Sequence, residues 1–170
     1  AIPNRTGIEH RPKEADGKRF GDFEMDTIIG KGNKSAIVTI IERSTNMLFM
    51  RKLNNGKNAK ELAKIVIRLL RPYKGFVKTI TTDNGKEFAC HEMIADALDT
   101  KVYFADPYAS WQKGAVENVN GLIRQYIPKK TAFEDISHQQ ITRYMHEINN
   151  RPRKKLEFST PRECFLNRIL

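Results

Sequence analysis

The chain has 170 residues, 39% hydrophobic and 29% charged, which is enough for one domain with a sizeable core and excludes an extended disordered chain. Its 30 Lys and Arg against 20 Asp and Glu leave a net charge of +10, which makes a polyanion the favoured partner because each neutralised phosphate releases counterions. No apolar run approaches the roughly 20 residues of a membrane-spanning helix, and the opening AIPNRTGIEHRPKE lacks the apolar core of a signal peptide, so a cytoplasmic protein with no membrane contact is expected.

Residues 1–18 carry Pro3, Gly7, Pro12 and Gly17 among many charges and read as an arm or linker, leaving 19–170 as the domain. Three strand candidates follow, RFGDFEMDTII, SAIVTIIER and NMLFMRKL, and their short separations predict antiparallel neighbours. The period then changes. Ala59, Leu62, Ala63, Val66, Ile67 and Leu70 recur at helical spacing, and Pro72 and Gly75 end the helix predicted over 58–70. A strand FVKTITT runs into Asp83, a helix is predicted over about 86–98, and a short strand KVYFA leads to the loop ADPYASWQKG. A long helical pattern covers Ala115 to about Ile127 and stops at Pro128; a further helix spans Ser137 to Asn149 with Ser137 as N-cap, and a last short one follows Thr160-Pro161. The whole is an α/β chain, a mixed five-stranded sheet in which an antiparallel meander precedes parallel additions, with flanking helices.

Candidate chemistry lies in carboxylates. Asp83 ends a strand directly before the Asn84-Gly85 turn, where open α/β sheets place ligands. On the first strand Asp22, Glu24 and Asp26 share one face by the period of 2, and Phe23, Met25, Thr27 and Ile29 share the other. A solvated outer face is the plainer explanation for Asp22 and explains Glu24 as well as any other role. It fits Asp26 less well, because Asp26 lies amid Met25, Ile28 and Ile29. Glu117 lies on a polar helix face with Lys113, Asn120, Gly121 and Arg124, opposite Val116, Val119, Ile123, Tyr126 and Ile127. By itself such a glutamate reads as ordinary surface. Cys90 and Cys164 stand far apart without zinc-ligand spacing, and His91, His138 and His146 show no ligand pattern, so a structural or surface role is expected for them.

The segments GDFEMDTIIG, TTDNGKEF, FADPYASWQKGAVENVNGLIRQYIPK and NNRPRKKLEFSTPRECF, in that order, resemble the catalytic domain of bacterial transposases of the insertion-sequence-thirty family. The resemblance runs from about residue 8 to the end. It implies an RNase H-like fold and an Asp-Asp-Glu triad of Asp26, Asp83 and Glu117, with 33 residues between the last two and a basic residue, Arg124, seven positions after the glutamate. Phe23 stands where the family commonly has Trp, and Val116 where Asn is common, which leaves the triad intact and puts packing and DNA contacts in question. The family's upstream helix-turn-helix region has no counterpart here, so an isolated catalytic domain with weak end recognition is expected.

Three carboxylates with no Cys or His suit hard divalent ions, Mg²⁺ or Mn²⁺, and two ions are expected with DNA bound, bridged by Asp26. The resemblance implies DNA cleavage and strand transfer, with element ends and target DNA as partners, a homodimer in the full-length protein and a nucleoid setting. A retroviral-type integrase, another RNase H-like nuclease and a non-catalytic DNA-binding module are the competing readings. Loop 105–116 is the expected mobile flap, its Tyr108 and Trp111 meeting DNA, although Trp111 fits a core anchor equally well. Lys113, Arg124, Lys129 and Lys130 are candidate phosphate contacts, and Arg151, Arg153, Lys154 and Lys155 form either a second basic stripe or a solvated linker.

Overall fold

A computed structural model describes residues 2–170; the predicted arm's first residue, Ala1, lies outside them. Five strands form one sheet: β1 (Asp22–Ile29), β2 (Ala36–Glu42), β3 (Met47–Leu53), β4 (Thr79–Thr82) and β5 (Lys101–Phe104). Their spatial order is β3-β2-β1-β4-β5. The first three strands pair antiparallel, while β4 joins β1 and β5 joins β4 in parallel. Both parallel additions need crossover connections, supplied by helices α1 (Ala59–Leu70) and α2 (His91–Leu98). Helices α3 (Gly114–Tyr126), α4 (His138–Asn149) and α5 (Pro161–Ile169) complete the chain.

The sheet is covered on both faces, which is why β2 reads as the almost unbroken apolar run AIVTIIE, buried throughout. On one side Phe23, Met25, Val38 and Phe49 pack against α1, α2 and Phe165 of α5. On the other, Ile28, Ile37, Ile41, Leu48 and Met50 meet Val116, Val119 and Ile123 of α3 and Ile141 and Ile148 of α4. Local signals start the helices, with the expected Ser137 cap among them. Asn58 caps α1, and Ser137 with Gln140 and Thr160 with Glu163 form capping boxes.

Two expectations change. The helix predicted over 86–98 is divided: a tight turn at Lys86–Phe88 buries Glu87 and Phe88, and α2 starts only at His91. Burying Phe88 in the core turns the chain inward, which a continuous amphipathic helix from Lys86 would not allow. The arm is not free either. Thr6 O accepts from Phe104 N at 2.9 Å, Gly7 bridges Phe104 in parallel, and Arg11 Nη1 donates to Thr81 Oγ1 at 3.0 Å. The arm thus covers the exposed edge of β5, satisfying main-chain groups that an open edge would leave bare.

Candidate active site

Register brings the first two carboxylates together. Asp22 pairs with Thr79 and Glu24 with Thr81 across parallel strands; continuing by two residues sets Asp83 level with Asp26. Neighbouring strands lie about 4.8 Å apart, and period 2 keeps both side chains on the α3 face. Each aspartate then accepts a main-chain amide on its Oδ1. Asp26 Oδ1 accepts from Thr27 N at 2.8 Å, and Asp83 Oδ1 accepts from Gly85 N at 2.9 Å, the turn geometry expected of Asp-Asn-Gly. Their Oδ2 atoms face a common cation, the Lys113 ammonium, at 3.8 Å and 3.5 Å. Asn84 meanwhile donates through Nδ2 to Ala105 O at 2.8 Å and accepts from Arg5 Nε at 2.5 Å, so it ties the turn to β5 and the arm.

Glu117 sits exposed on the first turn of α3 and lines, with Asp83, Lys113, Pro107 and Tyr108, a cavity of about 350 Å³. Among the described residues no three carboxylate, histidine or cysteine side chains approach closely enough to hold one ion. The geometry therefore assembles a two-aspartate cation position with Glu117 at the rim of the adjoining cavity. Asn120, one turn further along α3, donates to Asp26 Oδ2 at 3.1 Å and accepts from Thr39 Oγ1 at 2.9 Å, which fixes the aspartate's orientation. Burial is the largest influence on Asp26 and pushes its carboxyl above the usual range; Lys113 and the Thr27 amide pull it down, and the charges of Asp83 and Glu87 push it further up.

The solvated-face expectation for Asp22 and Glu24 is overturned: they are 0% and 2% exposed. Arg19 grips Asp22 through both oxygens at 2.8 Å, with Thr79 Oγ1 at 2.6 Å. Glu24 Oε2 pairs with Arg43 Nε at 3.0 Å, while its Oε1 accepts from Val116 N at 2.9 Å. Helix α3 has no capping side chain of its own, so Glu24 caps it from β1, satisfying an otherwise orphaned donor one residue before Glu117. Burial raises the Glu24 carboxyl as well, opposed by the Val116 amide and by Arg43. The cue available in sequence was its period-2 relation to Asp26; the cations that allow its burial come from distant positions.

The basic candidates divide. Lys113 is 4% exposed and faces carboxylates rather than solvent. Arg124 donates from Nη2 to Ile29 O at 3.1 Å and lies over the Phe133 ring, bracing the end of α3 against β1. Arg124→Ala is therefore expected to lower unfolding stability by about 1–2 kcal/mol, checked by urea denaturation. Arg153 donates to Ile148 O at 3.0 Å, and Lys155 to Arg43 O at 2.9 Å, so both hold the tail onto the domain. Lys129, Lys130, Lys154 and Arg151 are exposed, the last reaching Gln125 Oε1 at 3.4 Å. Trp111, 77% exposed, is no core anchor; with Tyr108 it projects from a loop clasped by Gln112, which bonds Asp106 N at 2.8 Å. His91 is buried against Pro3 O, and His138 and His146 lie at the surface.

The strand order and the helices packed on both faces are those of an integrase catalytic core of RNase H-like fold, with Asp26 on the central strand, Asp83 just past the end of β4 and Glu117 on α3. The structure matches that of the catalytic core domain of BIV integrase with a TM-score of 0.63 at 19% identity, covering 86% of this chain and 94% of that one. The chain belongs to the integrase core domain family, which it matches over residues 12–110. It is 53% identical over 165 residues to the transposase for insertion sequence element IS4351 of Bacteroides fragilis, covering 96% of this chain and 50% of that protein. It is 36% identical over 163 residues to transposase InsI for insertion sequence element IS30C of Escherichia coli, covering 95% of this chain and 42% of that protein. The insertion-sequence-thirty resemblance holds at this level, and the chain spans about half the length of these relatives. No helix among the described residues is long and apolar enough to cross a membrane.

Proposed function

We propose that the chain is the catalytic core of a transposase, which cuts DNA at the ends of a mobile element and transfers the freed 3′-hydroxyl to target DNA. The observation that carries this reading is the pair of Oδ2 atoms on Asp26 and Asp83, aimed at one cation position beside a cavity that Glu117 lines. The donor set is all oxygen, the position already accommodates a positive charge, and so these residues fit Mg²⁺ or Mn²⁺. Asp26, Asp83 and Glu117 would hold the metal, which supplies activation of the attacking oxygen and stabilisation of the leaving one. The chain's own residues do the positioning. Thr27, Gly85 and Asn120 orient the aspartates, and Glu24 holds α3 in place.

Exposed Tyr108 and Trp111 offer faces on which bases can stack, and Lys129 and Lys130 offer phosphate contacts beyond α3. The net charge of +10 supports DNA as partner; the family resemblance, not the charge, implies a cytoplasmic, nucleoid-associated setting and a dimer in the longer protein. Crystals soaked in Mn²⁺ are expected to show anomalous density between Asp26 and Asp83, with the Glu117 side chain turned toward it. Density confined to surface sites would remove the basis for a metal-dependent enzyme and favour a DNA-binding module.

A further inference from the structure

Lysine side chains are almost never buried unless paired, yet the Lys113 side chain is 5% exposed and its ammonium lies between the two aspartates. Lys113 closes the short turn Ser110–Lys113 and directly precedes the first residue of α3, four positions before Glu117. Resting on the metal reading above, we infer that Lys113 is an internal counter-cation that occupies the metal position in the free protein and must withdraw before a divalent ion can bind. It is a positioning residue rather than a catalytic one.

The reason is geometric. A Mg²⁺ ion sits about 2.0–2.1 Å from its oxygen ligands, whereas Nζ already stands 3.8 Å and 3.5 Å from the Oδ2 atoms that ion needs. An ion coordinated by those oxygens faces strong repulsion from an ammonium that contacts the same two atoms. Without metal, the same ammonium offsets the repulsion between the Asp26 and Asp83 charges and, with Asn120 on Asp26, keeps their Oδ2 atoms aligned. Withdrawn into the adjoining cavity, it meets the place where a DNA phosphate would approach. A phosphate that holds Lys113 there favours metal entry, and bound metal in turn favours phosphate, so the two ligands bind cooperatively. Such an arrangement keeps the metal site weak until DNA is present.

Mn²⁺ titration by calorimetry without DNA tests this. Lys113→Met is expected to bind Mn²⁺ on the order of tenfold or more tightly than the parent, with Lys113→Arg staying near the parent value. A short duplex is expected to tighten Mn²⁺ binding by the parent more than by Lys113→Met. The parent protein supplies a second readout that needs no folded variant. In lysine labelling followed by mass spectrometry, Lys113 is expected to be protected without Mg²⁺ and labelled at saturating Mg²⁺, while Lys129 and Lys130 react equally in both. Equal Mn²⁺ affinity in a folded variant, or Lys113 labelling that ignores Mg²⁺, overturns the counter-cation role alone. Absence of Mn²⁺ binding by every form, with or without DNA, overturns the metal site itself and this inference with it.

Discussion

Asp83→Asn is expected to reduce Mg²⁺- or Mn²⁺-dependent nicking by on the order of 10³-fold or more, because a metal ligand contributes several kcal/mol of charge stabilisation and each 1.36 kcal/mol is tenfold in rate. The fold is expected to survive. An asparagine oxygen can accept from Gly85 N as Asp83 Oδ1 does at 2.9 Å, so the turn keeps its bond. Non-specific DNA binding is expected to be unchanged or slightly tighter, since a negative charge beside the phosphate path is gone. A plasmid-nicking assay beside a gel-shift titration separates the two effects. A variant that nicks like the parent would show that Asp83 only shapes its turn.

Glu24→Ala carries the second large effect. Removing one member of a buried ion pair typically costs about 3–5 kcal/mol; Arg43 remains partly exposed and also donates to Ala15 O at 2.8 Å, which points to the lower end, about 3 kcal/mol. The variant also strands Val116 N at the start of α3. Urea unfolding at constant slope measures the loss. Glu24→Gln keeps an oxygen for Val116 N and is expected to fall by about 1–2 kcal/mol. At a temperature where all forms are folded, nicking should decline in the order parent, Gln, Ala, because Glu117 follows Val116 directly. A Glu24→Ala protein with parental unfolding and parental nicking would break the link between β1 and the glutamate's helix.

The two aspartates were legible because they lie where local pattern is strong. Asp83 follows an apolar strand and precedes Asn-Gly, and Asp26 continues a period-2 stripe amid apolar neighbours. Glu117 was different: its helix face is polar and its surroundings ordinary, so only the family resemblance singled it out. The structure brings it to the rim of the Asp83 cavity without closing a three-carboxylate cluster among the described residues. The basic residues were the least legible. A lysine or arginine has the same local signature whether it stands exposed to solvent, as Lys129 and Lys130 do, or meets backbone carbonyls, as Arg124 and Arg153 do.

By itself the sequence determined the element types, the antiparallel meander followed by parallel additions, the carboxylate at the end of β4, the Ser137 cap of α4 and the start of α5 after Thr160-Pro161. Those features depend on periodicity and turn chemistry within a few residues. Only the tertiary structure decided that Asp22 and Glu24 are buried, that the arm closes the β5 edge and that Lys113 faces the aspartates. A charge leaves water only where partners from elsewhere in the chain replace its hydration. For Glu24 those partners are Arg43 and the Val116 amide, and for Lys113 they are Asp26 and Asp83, groups that no local pattern connects and that folding alone brings within reach.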